Sequence, residues 1–182
     1  LVMTTLFIIV NEDRFLLSHR REIVESAIAE GYAVTIVAKN TGLKEIIESL
    51  GAKFIDLPVN PTGMNPMQEL KTLCFLRKLF KQEKPDIVHN VGLKCILWGG
   101  LAARLTKRPL VVNAISGLGV IFSNTPLSIY ASIILRIIRF ADMGKKSVYI
   151  FQNKDDYNIF INRNIITEEQ CRFTKGSGIN LS

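Results

Sequence analysis

Thr5-Leu6-Phe7-Ile8-Ile9-Val10 and Ala33-Val34-Thr35-Ile36-Val37-Ala38 are two short apolar runs, and the residues between them are spaced as in a helix. Apolar runs of this length without polar alternation are typical of strands that are buried on both faces of a parallel sheet. Between the runs, Ser18 is predicted to cap a helix that ends at Gly31. This stretch therefore predicts a β-α-β unit.

The same alternation of strand and helix patterns continues along the chain. Further strands are predicted at 53–57, 86–91, 110–115, 147–152 and 172–175, and further helices at 42–50, 67–84, 93–105, 126–141 and 155–161. Strands joined by crossover helices pair in parallel through right-handed connections. We therefore expect one α/β domain, a Rossmann-like three-layer α/β/α fold with a mostly parallel sheet. Ligands bind beyond the carboxyl ends of such strands, so the loops that follow the strands are the places to look for function.

Composition narrows the class of protein. The chain has 182 residues, of which 48% are hydrophobic, and this is enough for one well-packed domain. Its three cysteines, Cys74, Cys95 and Cys171, are far apart and lack metal-ligand spacing, so we expect reduced thiols and no metal site. The segment between Val10 and Ser18 contains no glycine, which disfavours an NAD or FAD site.

The net charge of +7 is concentrated in the middle of the chain. Residues 1–63 have six basic and eight acidic side chains, residues 64–146 have thirteen and four, and residues 147–182 have four of each. A basic excess of this kind predicts a face that meets an anionic partner, such as phospholipid head groups, a diphosphate or nucleic acid. The alternative is a solvated helix surface.

The segment 126–141 is the most apolar predicted helix, although it contains Arg136 and Arg139. It is shorter than the roughly 20 residues that span a bilayer. One interpretation is a core helix. The other is a helix at the membrane interface, whose apolar side chains enter the acyl boundary while Arg136, Arg139, Lys145 and Lys146 bind anionic head groups.

Both histidines stand next to predicted ligand-facing loops. His19 and Arg20 are expected at the start of the first helix, where amide groups and the guanidinium can hold a phosphate or sugar hydroxyls. His89 ends the fourth strand and is followed by Asn90 and Lys94, so an imidazole, an amide and an ammonium are predicted around one loop. Such a histidine can hydrogen-bond a substrate near neutral pH, and a lysine can neutralise a phosphate. The alternatives are a solvent-facing Arg20 and a His89 that is satisfied within the core.

A pair of glycines, Gly117 and Gly119, follows the fifth strand. Two glycines at this spacing permit a backbone turn close to a ligand. A tight turn without a ligand is the alternative.

An ordered series of motifs extends along almost the whole chain. These motifs are Phe15-Leu16-Leu17-Ser18-His19-Arg20 with Gly31-Tyr32-Ala33-Val34, Asn65-Pro66 with Glu69-Leu70, Lys84-Pro85-Asp86-Ile87-Val88-His89, Gly117-Leu118-Gly119 and Gly176-Ser177-Gly178-Ile179-Asn180-Leu181. Together they resemble the amino-terminal half of retaining GT-B glycosyltransferases, family 4-like. Within these, the pattern is most similar to bacterial enzymes that extend lipid-linked glycans for capsules, O-antigens or protein glycans.

The resemblance implies a division of labour between two domains. Residues 1–176 would be the acceptor-binding domain, residues 177–182 the start of the hinge, and the donor-binding domain would be absent. The implied partners are a nucleotide-sugar as co-substrate, a lipid-linked sugar acceptor and an anionic membrane surface, with no nucleic acid and no cofactor. The implied location is the cytoplasm, peripheral at the inner face of the cell membrane, and the amino-terminal apolar run lacks the flanks of a secretion signal.

The resemblance also assigns roles to individual residues. His89 matches the family histidine near the donor sugar and is the catalytic candidate, whereas His19 and Arg20 match the first-loop pair. Lys94 and Gly117–Gly119 match positions that line the acceptor side. The first loop departs from the pattern because it lacks the glycines that many relatives place against the donor diphosphate. Without the donor domain, these residues alone are not expected to transfer sugar.

Two other hypotheses remain open. One is a natural split transferase, in which this chain is a complete acceptor-binding and membrane-docking subunit with a separate catalytic partner. The other is a GT-B type nucleotide-sugar 2-epimerase, which works on a soluble sugar nucleotide and needs no basic apolar helix. Binding to anionic vesicles distinguishes the epimerase from the first two.

Overall fold

The computed structural model of the chain describes residues 3–60, 65–106, 109–118, 122, 129–142 and 147–174. Within these residues, seven strands form one sheet in the order β3-β2-β1-β4-β5-β6-β7, and every neighbouring pair is parallel. The strands are β1 (Thr5–Glu12), β2 (Ala33–Lys39), β3 (Lys53–Asp56), β4 (Ile87–Val91), β5 (Leu110–Ile115), β6 (Ser147–Phe151) and β7 (Cys171–Phe173). The predicted Rossmann-like parallel sheet is confirmed.

Helices cover both faces of this sheet. They are α1 (Asp13–His19), α2 (Arg21–Ala29), α3 (Lys44–Ser49), α4 (Pro66–Glu83), α5 (Leu93–Leu105), α6 (Ile129–Asp142) and α7 (Lys154–Asn162), and a short 3-10 helix spans Glu168–Gln170. Leu16, Val24 and Ile47 bring α1, α2 and α3 into one core on the first face. On the second face α4 and α5 share a core, and α5, α6 and α7 share another. The result is the expected α/β/α arrangement.

The start of the first helix differs from the sequence prediction. The chain becomes helical at Asp13, directly after β1, and Ser18 does not cap a helix. Instead, the Ser18 hydroxyl donates to the carbonyl of Arg14. The helix begins early because the buried carboxylate of Asp13 accepts hydrogen bonds from the backbone N–H of Arg14, Thr41 and Leu43 and thus anchors α1 to the loop after β2. The helical path then breaks at Arg20, which ends α1 and precedes α2.

The helix α4 illustrates how local signals set an element's ends. The side chain of Asn65 accepts a hydrogen bond from the backbone N–H of Met67, and Pro66 occupies the first helical position, where its missing N–H costs nothing. At the other end Lys84 adopts a left-handed conformation with φ of 48°, and Pro85 prevents continuation. The predicted helix 67–84 is therefore confirmed within one residue at each end.

Candidate functional site

Arg20 is buried between the first two helices and the sheet. Leu16, Arg20 and Val24 follow one another at intervals of four, and all three are buried. Only 8% of Arg20 is exposed. Its Nε has no hydrogen-bond partner among the described residues, and no carboxylate there forms an ion pair with it. Burial lowers the pKa of the guanidinium, which is still charged at every physiological pH.

His89 lies on the same face of the sheet as Arg20. It alternates along β4 with Ile87 and Val91, which both belong to the core under α1 and α2. Its Nε2 is buried and also has no partner in the described part of the chain. Burial lowers the pKa of His89 to about 4, and the nearby charge of Arg20 acts in the same direction. At neutral pH the imidazole is therefore uncharged.

His19 is separated from this pair. It is exposed at the last position of α1, its ring stacks on Phe15 at 4.7 Å between centroids, and its Nδ1 lies 2.6 Å from the Ser18 hydroxyl. The prediction that His19 and Arg20 together open a helix is confirmed only for Arg20, which is the N-cap residue of α2, whereas His19 is the last residue of α1. His19 is exposed and Arg20 is buried, so the two side chains lie in different surroundings.

Asn90 occupies the opposite face of β4 from His89. It is completely buried under α5, and its Nδ2 donates to Oδ1 of Asn113 at 2.9 Å. Gly99 of α5 packs against its amide, and a Cβ at Gly99 would overlap Asn90 Oδ1. The predicted loop of three polar groups is therefore not formed, since His89 and Asn90 are on different faces of the sheet.

Lys94 links two helices through an ion pair. Its Nζ donates to the carboxylate of Glu69 and to the carbonyl of Asn60, each at 2.7 Å, and the other oxygen of Glu69 accepts from Nε1 of Trp98. The side chains of Lys94 and Glu69 are only 18% and 12% exposed. The group joins α4 to α5 and fixes the loop after β3, so a phosphate would have to compete with Glu69 for this ammonium.

The glycines at the carboxyl ends of β4 and β5 shape two turns. Gly117 has a φ of 123°, and a Cβ at this position would meet no atom within 4 Å, so the chain turns there next to open space. Gly92 has a φ of 85° and precedes the first turn of α5. Gly119 lies outside the described residues.

Asp13 is a second residue that sequence reasoning missed. Burial by itself would raise the pKa of its carboxyl, but the hydrogen bonds from the side chain and backbone of Thr41 and from the backbone of Leu43 and Arg14 outweigh it, so the pKa is below its ordinary value. The carboxylate is thus a structural anchor for α1. Its signal in the sequence is an acidic residue directly after an apolar strand.

The helix α6 has one buried face and one exposed apolar face. Ala131, Ile134, Leu135, Ile138 and Ala141 are buried, whereas Ile129, Tyr130, Ile133 and Phe140 are 83%, 45%, 49% and 50% exposed. Arg136 and Arg139 are both exposed on this outer side. The core interpretation is therefore confirmed for one face, and the interface interpretation stays a prediction for the other. No helix in the described ranges is long and apolar enough to cross a membrane.

Further basic side chains accompany α6 on this side of the sheet. The helix α5 packs between α4 and α6, so all three form one layer. The exposed surface of α4 includes Lys71, Arg77, Lys78 and Lys81 together with Met67 and Leu70, which are 66% and 54% exposed. Lys145 and Lys146, which the sequence predicts to contact the membrane, lie outside the described residues.

A cavity of about 860 Å³ is at the other end of the strands. It is lined by residues that begin strands, including Ile87, Leu110 and Ser147. Ligands of open α/β sheets bind beyond the carboxyl ends. We therefore place the candidate site at Arg20 and His89 and not in this cavity.

The sequence matches the family described as glycosyl transferase 4-like over residues 6–152. The chain belongs to this family. A curated relative is the UDP-Gal:alpha-D-GlcNAc-diphosphoundecaprenol alpha-1,3-galactosyltransferase of Escherichia coli, which is 33% identical over 90 residues. The aligned segment covers 48% of this chain and 23% of the relative. The resemblance to family 4-like glycosyltransferases is thereby confirmed.

Solved structures share the fold. MurG from Acinetobacter baumannii is 15% identical with a TM-score of 0.61, over 98% of this chain and 47% of that one. UDP-GlcNAc 2-epimerase from Methanocaldococcus jannaschii is 20% identical with a TM-score of 0.63, over 93% of this chain and 45% of that one. The chain thus spans about half the length of these proteins and matches one domain of a GT-B architecture.

Proposed function

We propose that this chain is the acceptor-binding half of a retaining glycosyltransferase that moves a sugar from a nucleotide-sugar to a lipid-linked acceptor at the cytoplasmic face of a membrane. The observation that supports it most directly is the outer face of α6, where exposed Ile129 and Ile133 lie beside exposed Arg136 and Arg139. Apolar side chains flanked by arginines suit the boundary between acyl chains and anionic head groups. The relative that acts on a diphosphoundecaprenol acceptor supports the same class of substrate.

The proposed reaction takes place between this domain and a donor-binding domain, which either follows residue 182 or is a separate subunit. The acceptor hydroxyl attacks the anomeric carbon on the face from which the nucleoside diphosphate leaves. The new glycosidic bond forms as the bond from carbon to phosphate oxygen breaks, and the hydroxyl proton passes to the leaving phosphate. His89 is the proposed contact to the donor sugar, and the nucleotide-sugar is the co-substrate with no further cofactor.

The docking part of the proposal is tested with vesicles. The chain should float with vesicles that contain an anionic phospholipid and much less with vesicles of neutral lipid. Because each basic side chain near an anionic surface contributes about 1 kcal/mol, Arg136→Gln with Arg139→Gln should weaken binding at least about tenfold. The matched control is Lys39→Gln with Lys44→Gln, two exposed cations by α3, on the opposite side of the sheet.

An apolar pair tests the same face without changing charge. Ile129→Ser with Ile133→Ser should also reduce vesicle binding, whereas Ile46→Ser on α3, where the isoleucine is 46% exposed, should not. Equal binding by all of these variants would refute docking through α6.

The transferase part is tested on the polypeptide from its native source. Its mass and the reading frame beyond Ser182 distinguish a two-domain enzyme from a split one. The native protein should transfer sugar from a nucleotide-sugar to a prenyl-diphosphate sugar with the anomeric configuration retained. An inverted product would refute retention.

The alternative of a nucleotide-sugar 2-epimerase is supported by the similarity to the Methanocaldococcus epimerase, which extends over 93% of this chain. That similarity concerns the fold. An epimerase converts UDP-GlcNAc without any acceptor, so it is not expected to bind vesicles. Conversion of free nucleotide-sugar together with absent vesicle binding would favour this alternative.

A further inference from the structure

Arg20 and His89 are buried polar residues on the same face of the sheet, and each has one side-chain nitrogen without a partner among the described residues. Each residue is 8% exposed, and the Nε of Arg20 and the Nε2 of His89 have no hydrogen-bond partner in the described part of the chain. Buried polar atoms are nearly always hydrogen-bonded, and buried charges are nearly always paired. The charge of Arg20 is close enough to lower the pKa of His89, so the two unpartnered nitrogens point to one shared ligand.

The charges of the pair define what that partner must be. A guanidinium has donors and no acceptor, so it requires an acceptor and prefers an anionic one. The imidazole can donate from one ring nitrogen while the other accepts. The buried carboxylate of α1, Asp13, accepts its hydrogen bonds from Thr41, Leu43 and Arg14 and forms no ion pair with Arg20.

We propose that Arg20 and His89 form a subsite for a phosphate group, with the guanidinium pairing with its negative charge and the imidazole hydrogen-bonding one of its oxygens. His19 has no part in this subsite because it lies on the outer side of α1. A bound anion would favour the protonated ring, so phosphate is expected to raise the lowered pKa of His89. The identity of the ligand rests on the proposed function, in which both the nucleotide-sugar and the lipid-linked acceptor contain a diphosphate.

The two imidazoles of this chain make the subsite directly observable. The sequence contains only His19 and His89, so ring signals in a nitrogen-15 spectrum are assigned with one His19→Gln variant. Three probes are titrated into the chain: orthophosphate, UDP and farnesyl diphosphate. N-acetylglucosamine serves as an uncharged probe. The phosphate-containing probes should shift the His89 ring and leave the His19 ring in place, and N-acetylglucosamine should shift neither.

Variants of Arg20 identify the cation. Arg20→Met should weaken binding of the best probe at least about tenfold, because the ligand then has no opposite charge. The control is Arg21→Met, which removes a neighbouring arginine that is 54% exposed in its side chain and pairs with Glu25. It should change binding by less than about twofold. If Arg20→Met does not fold, Arg20→Gln replaces it, since it keeps a polar side chain and removes the charge.

The outcomes separate the sources of phosphate. Tighter binding of UDP indicates the donor, tighter binding of farnesyl diphosphate indicates the acceptor, and equal binding of orthophosphate indicates a general phosphate site. The proposal is overturned if Arg20→Met or Arg20→Gln binds these probes as well as the unchanged chain, or if N-acetylglucosamine shifts the His89 ring as strongly. Phosphate binding by a chain that neither docks on vesicles nor supports transfer would keep the subsite and refute the proposed function.

Discussion

The polar side chains on the two faces of β4 differ in whether they have hydrogen-bond partners. On the side of α4 and α5, Asn90 donates to Asn113, and Lys94 is held by Glu69. On the side of α1 and α2, the charge of Arg20 lowers the pKa of His89, and neither Nε of Arg20 nor Nε2 of His89 has a partner within the described residues. On the first face the chain supplies these partners, and among the described residues only Oδ1 of Asn90 lacks one, whereas on the second face a nitrogen of each buried side chain lacks one.

This difference teaches how to separate structural from functional polar residues. Lys94 and Arg20 are both predicted by the sequence to bind substrate, and both are mostly buried. A buried cation that has a carboxylate partner stabilises the packing of two helices. A buried cation without a carboxylate partner destabilises the fold, and we expect such a residue to be kept where a bound ligand offsets that loss. The predictions below test this distinction from the largest expected effect to the smallest.

The largest expected effect is at Gly99, on the side of β4 that faces α4 and α5. In Gly99→Ala the new Cβ would lie 2.8 Å from Cγ of Asn90 and overlap its Oδ1, so the amide must move and lose its bond to Asn113. We expect the free energy of unfolding to fall by about 3 kcal/mol, measured by urea denaturation.

The neighbouring glycine is a matched control. A Cβ at Gly100 would meet only Ala141 at 3.7 Å, an ordinary contact, and alanine favours a helix over glycine. Gly100→Ala should leave stability unchanged or raise it by about 0.5–1 kcal/mol. Equal losses in both variants would mean that the contact with Asn90 is not what limits this position.

His89, on the side of β4 that faces α1 and α2, makes the stability of the chain depend on pH. Its pKa is about 4 in the folded chain and 6.5 for an ordinary histidine. Below pH 6.5 the unfolded state takes up a proton that the folded state refuses, so stability is complete above pH 6.5 and falls as the pH falls toward 4. The expected loss is about 2 kcal/mol by pH 5, measured in buffer without phosphate.

A non-titrating variant isolates this effect from the carboxylates. The difference in stability between pH 7 and pH 5 should be smaller in His89→Gln than in the unchanged chain. The variant His19→Gln should not alter that difference, because His19 is exposed. An unchanged pH dependence in His89→Gln would show that the imidazole titrates normally in the folded chain.

The fold follows from the sequence because its strands are continuous apolar runs. All seven predicted strands overlap the observed ones, since a parallel sheet covered on both faces leaves little choice for such runs. The ends of the elements are harder to predict. The sequence prediction starts the first helix too late because Ser18 resembles a cap, whereas the true anchor is Asp13 and its bonds to Thr41 and Leu43.

The site is predictable only in part. His89 and Asn90 are consecutive residues of a strand, and the twofold alternation of strands already implies opposite faces. The inward position of Arg20 follows from its spacing to Leu16 and Val24 once the helix begins at Asp13. The pairing of Lys94 with Glu69 is not predictable, because it depends on how α4 packs against α5 and no local pattern determines that.

The smallest effects concern the two buried cations, and here the sign matters more than the size. Lys94→Met leaves Glu69 without its cation, so we expect the free energy of unfolding to fall by about 1–2 kcal/mol. Arg20→Met removes a charge that has no partner among the described residues, so stability should stay the same or rise by about 1 kcal/mol.

Both variants replace a long cationic side chain with an unbranched apolar one, so the loss of packing is similar. The difference between their free energies of unfolding then depends on whether the cation had a carboxylate partner. The measurement is urea denaturation at pH 7 in phosphate-free buffer, repeated with phosphate. Added phosphate should raise the stability of the unchanged chain and of Lys94→Met, because ligand that binds only the folded state stabilises it. It should not stabilise Arg20→Met. If Arg20→Met were instead the less stable of the two without phosphate, Arg20 would be part of the scaffold, and the contrast between the two faces of β4 would not separate structure from function.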